Sequence, residues 1–361
     1  MANAHPIIEA DIKSIAEDLQ HFAPQLSSTT LLLTGGAGFL GKYIIATLDY
    51  MNNHVLQKPC KVIVLDNFIV GLKEDLATNE HITVLQHDVT KPFETKEHID
   101  YILHAASIAS PIFYKKYPLE TLNAGTLGTL NMLELAREKH VKSFLLFSSS
   151  EVYGDPDPKF VPTPETYHGN VSCTGPRACY DESKRVGETY AVYYHQVHQV
   201  PVKILRPFNI YGPGIRLDDY RVVPNFTVAA LRGHKIPIYG EGNHTRSFCY
   251  ITDAITGFFQ VLLSNYNGES FNIGNDTTEV TVESLAHVIA ELFGNSIQVS
   301  KVIAPNDAYT RADPQRRCPD LRKIQTFVGY KTKIDLRTGL QRFITWAKDQ
   351  DLSTAFTRTI N

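Results

Sequence analysis

Along this chain, short and mostly apolar runs alternate with longer stretches in which apolar residues return every three or four positions. The runs fall at residues 31–33, 62–65, 82–85, 101–103, 144–147 and 202–205. A strand with one solvated face alternates apolar and polar residues, whereas a strand buried on both faces reads as a continuous apolar run. Such runs, separated by helical stretches, predict a parallel sheet with helices on both sides. The spacing predicts helices over residues 126–140 and 180–198. Ahead of the first run, Ile8, Ile12, Ile15, Leu19 and Phe22 share one helical face over residues 7–22. Pro24 and the run Ser27, Ser28, Thr29, Thr30 are expected to break that helix before the first strand. After residue 205 the pattern loosens, and Pro207, Gly212, Pro213 and Gly214 introduce shorter elements. A second lobe begins there.

Length supports this division, since 361 residues exceed what one small core organises. The expected parts are a helical arm over 1–27, a domain built on the parallel sheet over 28–205 with 249–275, and a smaller lobe over 206–248 and 276–361. A net charge of -3 argues against a nucleic-acid partner, which calls for a basic stripe. The five cysteines (Cys60, Cys173, Cys179, Cys249, Cys318) are scattered without a CxxC pair. Neither a disulfide framework nor a metal site is expected, and a reducing, cytoplasmic setting fits. No run approaches the ~20 apolar residues that span a bilayer, so no membrane association is expected.

Chemistry enters with Thr34-Gly35-Gly36-Ala37-Gly38-Phe39-Leu40-Gly41, which follows the first run and opens a helical stretch. Gly35 suits a sharp turn, Gly38 a close backbone approach to a pyrophosphate, and Gly41 tight helix–strand packing. The helix N-terminus offers N–H donors and a partial positive charge to phosphates. Asp66 ends the second run, where a carboxylate accepts ribose hydroxyls and repels a 2′-phosphate, favouring NAD over NADP. Asp88, after the third run, is either an acceptor for the adenine amino group or a plain loop aspartate. The fold expected is therefore α/β: a Rossmann-type doubly wound parallel sheet with a smaller α/β substrate-binding lobe.

Tyr180 and Lys184 stand four apart on a predicted helix and so share one face. A phenol with a pKa near ~10 is a poor base at neutral pH. A neighbouring ammonium, with the positive nicotinamide, favours the phenolate. Ser148, Ser149, Ser150 and Glu151 follow the fifth run, at the carboxyl end where such sheets gather their active groups. Ser149 is placed to hydrogen-bond a sugar hydroxyl and Glu151 to act near the reacting carbon; a serine N-cap is the competing reading. Among the arginines at 177, 206, 216, 221, 246 and 317, Arg246 and Arg317 stand out by their apolar or proline-bounded surroundings. An arginine fork suits a diphosphate or carboxylate.

Together these residues resemble the extended short-chain dehydrogenase/reductases (the NAD-dependent epimerase/dehydratase family), and within them the UDP-glucuronate decarboxylases, or UDP-xylose synthases. The likeness runs from about Thr30 to Ala347. It is carried by the segments beginning Ser149-Ser150-Glu151-Val152-Tyr153-Gly154, Tyr167-His168-Gly169-Asn170, Gly175-Pro176-Arg177-Ala178-Cys179-Tyr180, Arg221-Val222-Val223-Pro224, Thr245-Arg246-Ser247-Phe248 and Asp313-Pro314-Gln315-Arg316-Arg317. The resemblance implies bound NAD, a nucleotide-sugar substrate, most often a UDP-sugar, and a homodimer packed through the Tyr180-bearing helix. It implies oxidation at C4 of the sugar, loss of carbon dioxide from the β-keto acid, and return of the hydride. Tyr180, Lys184, Ser149, Glu151 and Arg246 would form the catalytic group. Gly35, Gly38, Phe39, Leu40, Gly41, Asp66, Asn67, Asp88, Val89, Ala105 and Ala106 would hold the cofactor. Ser110, Asn170, Arg177, Asn209, Arg221, Arg246 and Arg317 would hold the substrate.

Some positions differ from the family pattern. Ser149 stands for threonine, Gly125 for asparagine, His168 for tryptophan, Ser183 for glycine, and Gly214 for arginine. Two other readings follow. One is a 4,6-dehydratase, epimerase or C4 dehydrogenase acting on another nucleotide sugar. The other is a catalytically lapsed NAD-binding sensor or scaffold.

Overall fold

A computed structural model describes residues 5–277, 279–294, 296–303 and 314–353. Asp313, which opens one of the family-like segments, lies outside them, as do residues 1–4 of the expected arm and 354–361 of the expected second lobe. The six apolar runs become strands β1 (Thr30–Thr34), β2 (Lys61–Asp66), β3 (Ile82–Gln86), β4 (Tyr101–His104), β5 (Ser143–Phe147) and β6 (Val202–Pro207). Five of them are buried through most of their length; β3, at the sheet edge, buries only Ile82 and Val84 and exposes Thr83, Leu85 and Gln86, so burial on both faces fails there. A seventh strand, Glu269–Ile273, joins the far edge and escaped the pattern because polar residues interrupt it. The order is Glu269–Ile273, β6, β5, β4, β1, β2, β3, with every pairing parallel. This is the doubly wound arrangement, and its order reverses between β1 and β4. The crevice for a ligand opens there, beyond the carboxyl ends of the strands.

The arm departs from its expected form. Helix α1 (Pro6–Asp18) stops at Leu19, a 3-10 turn follows, and α2 (Ala23–Leu26) resumes. Pro24 lies in the first turn of α2, where its missing N–H costs nothing; it starts a helix rather than ending one. Ile8, Ile12, Ile15 and Leu19 are buried in the main core cluster. Asp11 is fully buried beside them, accepting from the Tyr250 hydroxyl at 2.6 Å and from Arg342 Nη1 at 2.9 Å. Burial pushes its carboxyl up to about 6 against the pull of those two partners. The arm is thereby tied to its own chain.

Helix α3 (Phe39–His54) follows the glycine turn. The stretch expected as one helix over 126–140 begins earlier: α4 (Pro111–Lys116), α5 (Pro118–Asn123), a π turn (Ala124–Gly128) and α6 (Thr129–Lys139) succeed one another. Helix α7 (Ala178–His198) covers the same face and packs against α5 and α6. Beyond β6, apart from the seventh strand of the main sheet, the strands are short, while helices such as Ile251–Leu262 and Leu336–Lys348 are not. Thr245–Ser247 pairs with Glu279–Thr281 and with Arg316–Arg317, and Ile236–Tyr239 pairs with Val299–Val302. Among the described residues no helix is long and apolar enough to cross a membrane.

Candidate active site

Beyond the carboxyl ends of the strands lies a cavity of about 490 Å³, bounded at one end by the glycine turn and at the other by Ser149, Glu151, Tyr180 and Lys184. At the first end, Gly35 has φ +75, and a Cβ there would come within 2.8 Å of the Ala106 backbone. Only glycine allows the turn to press against the chain leaving β4. Thr34 Oγ1 accepts from the Ala106 N–H at 3.0 Å and meets His104 Nδ1 at 2.8 Å. Gly38 caps α3, and a Cβ on Gly41 would fall 2.6 Å from the Gly35 carbonyl oxygen. The Asp66 carboxylate accepts from Ala37 N at 2.9 Å and from Phe68 N at 2.8 Å, which fixes the glycine turn against β2. A carboxylate has about four acceptor positions, so two remain for ribose hydroxyls. Asp88 accepts from Thr90 N at 3.0 Å.

At the other end the geometry revises one expectation. The Lys184 ammonium donates to the Phe147 carbonyl at 2.7 Å and lies 5.7 Å from the centroid of the Tyr180 ring. It does not hold the phenolate in the free protein. Burial pushes the Tyr180 phenol up to about 12, against the pull of a hydrogen bond with Ser149. Burial likewise brings Lys184 down to about 8. A neutral phenol and an ammonium therefore share one buried face, and a cation entering the cavity would favour the phenolate. His104, which sequence reasoning passed over, is pushed down to about 3 by burial and the nearby Lys184 charge. It stays neutral, bonded through Nδ1 to Thr34 Oγ1.

Glu151 lies in the turn that Ser149 caps, with Ser149 Oγ accepting from Glu151 N at 3.2 Å. Capping and facing the cavity prove compatible, since Ser149 does both. Arg317 grips the Glu151 carboxylate with both ends of its fork, at 2.9 and 2.7 Å, and Arg177 adds a third contact at 2.5 Å. Burial alone would raise this carboxyl, but the two guanidinium charges hold it well below the usual carboxylate range. Glu151 stays ionised. A second buried network braces the floor: Arg206 makes a fork with Glu188 at 2.9 and 2.6 Å and reaches the Tyr153 hydroxyl at 2.9 Å. Glu188 also accepts from Ser148 at 2.5 Å, and Tyr153 donates to Asn272 at 2.7 Å. Sequence reasoning treated Arg206 as one arginine among several. An arginine at the carboxyl end of a largely apolar strand was the available signal.

The cavity wall brings together Gly35, Gly38, Phe39, Leu40, Gly41, Asp66, Asn67, Asp88, Val89, Ala105, Ala106, Ser110, Ser149, Glu151, Tyr180, Lys184, Asn209, Arg221 and Arg317. Three expected residues lie off that wall. Asn170 is exposed and donates to the Asp155 carbonyl. Arg177 stands behind Glu151. Arg246 is buried opposite Arg317 in the strand register, with Nη1 on the Thr245 carbonyl at 2.8 Å.

The model of the NAD dependent epimerase/dehydratase family matches residues 31–274. This chain belongs to that family. UDP-glucuronic acid decarboxylase 3 of Arabidopsis thaliana is 42% identical over 313 residues, which are 86% of this chain and 86% of the relative. UDP-glucuronic acid decarboxylase 1 of Xenopus tropicalis is 38% identical over 326 residues, 90% of this chain and 73% of the relative. Among solved structures, an epimerase of Methanothermobacter thermautotrophicus is 27% identical with a TM-score of 0.76, covering 95% of this chain and 96% of its own. A dTDP-glucose 4,6-dehydratase of Streptomyces venezuelae with NAD bound is 25% identical with a TM-score of 0.75, covering 89% and 97%. The family match begins at Leu31 and ends at Gly274. Helices α1 and α2 therefore precede the match, and Arg317 follows it.

Proposed function

We propose that this protein decarboxylates UDP-glucuronate to UDP-xylose through a transient ketone at C4, with NAD as a cofactor that each cycle regenerates. The observation that carries the reading is Glu151. It is an ionised carboxylate held by Arg317 and Arg177 beside Tyr180, in a chain 42% identical to a UDP-glucuronic acid decarboxylase. The glycine turn fits a dinucleotide: Gly35 and Gly41 leave no room for a Cβ, and the N-terminus of α3 opens toward the cavity beside Asp66. When bound, NAD accepts a hydride from C4 of the sugar and later returns it.

The residues do the rest. Tyr180 takes the proton of the 4-hydroxyl and gives it back at the end. Ser149, already bonded to the phenol, steers that hydroxyl. Lys184 and the nicotinamide charge together draw the phenol's ionisation down toward neutrality. Oxidation makes the C6 carboxylate a β-keto acid, so carbon dioxide leaves as an enolate forms, and C5 of that enolate takes a proton from water before the hydride returns to C4. Because Glu151 stays ionised, it orients groups at this centre rather than supplying a proton. Arg221, on the cavity wall, is the guanidinium placed for the nucleotide diphosphate, because Arg317 keeps its fork on Glu151. Purified protein given NAD and UDP-glucuronate is expected to release one carbon dioxide per UDP-xylose, read by mass spectrometry. Loss of water, or a change of configuration at constant mass, would assign the site to another nucleotide-sugar reaction.

The same reading includes a homodimer. Val186, Tyr193 and Val197 form one exposed apolar line along α7, and Leu119 and Leu127 are exposed on its neighbours. A second copy covering this face buries them. Light scattering is expected to give twice the chain mass for wild type and the single-chain mass for Tyr193→Asp combined with Val197→Asp; a monomeric wild type ends this part of the reading. The five cysteines are all free, which supports a reducing setting such as the cytoplasm.

A further inference from the structure

Helix α7 carries both Tyr180 and Lys184, so the way it is seated on its neighbour decides where both side chains reach. On the neighbour's side the seat holds no side chain. Gly125 lies within the π turn, and a Cβ built on it would fall 2.6 Å from both Cβ and Oγ of Ser183. Ser183 is fully buried, and its hydroxyl donates to the Tyr180 carbonyl at 2.7 Å. One turn further along α7, a Cβ on Gly187 would come within 3.0 Å of the Gly125 carbonyl oxygen, which already accepts from Thr129 at 2.8 Å. The residues just ahead of this contact, Asn123 and Ala124, line the cavity together with Tyr180 and Lys184. A close-packed interior cannot absorb an added methyl here except by moving one element against the other.

We propose that Gly125 and Ser183 are a matched pair of positioning residues that sets how deeply α7 is seated, and through it the reach of the Tyr180 phenol and the Lys184 ammonium. The inference rests on the function proposed above. It also joins two positions that differ from the family pattern into a single exchange: the smaller residue at 125 makes the space that the larger residue at 183 occupies.

The test compares wild type, Gly125→Ala, Ser183→Gly and the double variant as full chains. The readouts are kcat, KM for UDP-glucuronate, bound NAD, melting temperature and the pH dependence of kcat. Gly125→Ala is expected to lower kcat by ~10- to 100-fold, as a displacement near ~1 Å does, and to move the limbs of the pH profile. KM and bound NAD should stay within about twofold, because the changed contact touches neither ligand. The double variant is expected to recover kcat to within about threefold of wild type, since coupled neighbours are not additive. A double variant no better than Gly125→Ala overturns the pairing. So does a Gly125→Ala protein whose only change is a lower melting temperature. If Gly125→Ala does not fold, an active double variant supports the pairing and an unfolded one overturns it. Failure of the functional reading is recognised separately, because wild type itself would then bind no NAD and turn over no substrate.

Discussion

Tyr180→Phe is expected to fold, to bind NAD, and to turn over UDP-glucuronate about 10²- to 10⁴-fold more slowly than wild type, the usual worth of a positioned acid–base group. The substitution removes one oxygen and leaves the ring, which stacks on Tyr114 at a centroid distance of 5.5 Å, in place. The pH dependence carries the sharper information. The reaction needs the phenolate, so its rate rises with pH as Tyr180 gives up its proton. It also needs the Lys184 ammonium, so its rate falls as the pH passes about 8, where burial lets that lysine go neutral. Burial places the Tyr180 ionisation at about 12 in the protein by itself, above that of the lysine. Bound NAD, being positive at the nicotinamide, must bring it below. A spectroscopic titration of the phenol is therefore expected to shift to lower pH on adding NAD. A Tyr180→Phe protein keeping more than a tenth of wild-type kcat would remove the tyrosine from the chemistry.

Glu151→Gln is expected to cost both activity and stability. Arg177 and Arg317 are each less than a tenth exposed, and the substitution leaves two buried guanidinium groups facing a neutral amide. Breaking a buried ion pair from one side costs about 3–5 kcal/mol. The loss should show in urea denaturation at neutral pH, with kcat falling alongside. The sign of the acid response follows from the depressed ionisation. The folded carboxyl titrates below its ordinary value of 4.5, so its contribution is complete above that pH and is lost as the pH falls beneath it. Wild type should lose its advantage over Glu151→Gln on acidification, and the two stabilities should converge. Equal stability at neutral pH would mean that the arginines find other partners, and the cluster would lose its structural role. Asp181 reinforces this picture from behind: burial, with the Glu151 charge next in weight, pushes its carboxyl up. The cluster thus favours one ionised carboxylate over two.

Much of the fold was legible in the chain itself. Mostly apolar runs at 31–33, 62–65, 82–85, 101–103, 144–147 and 202–205 became the first six strands with ends moved by one or two residues. A strand buried on both faces leaves that mark locally. The glycine turn was legible too, because backbone conformation and close approach are properties of single positions. So was the shared face of Tyr180 and Lys184, which helical pitch alone dictates. The seventh strand was not, since its pattern is broken by Asn272, a buried side chain that serves the Tyr153 network instead of the core.

The partners of charged residues were decided only by the tertiary structure. Arg317 reaches Glu151 across 166 positions, Tyr250 reaches Asp11 across 239, and Tyr153 reaches Asn272 across 119. No periodicity links such residues. The same holds for the contact of Gly125 with Ser183, where a missing side chain on one helix has meaning only once another helix lies against it. Residue order alone thus determined the strands, the glycine turn and the pitch that aligns the phenol with the ammonium, because those depend on near neighbours. Which arginine holds the glutamate, and how closely α7 sits against the π turn, required the folded chain, because burial and long-range contact set those energies.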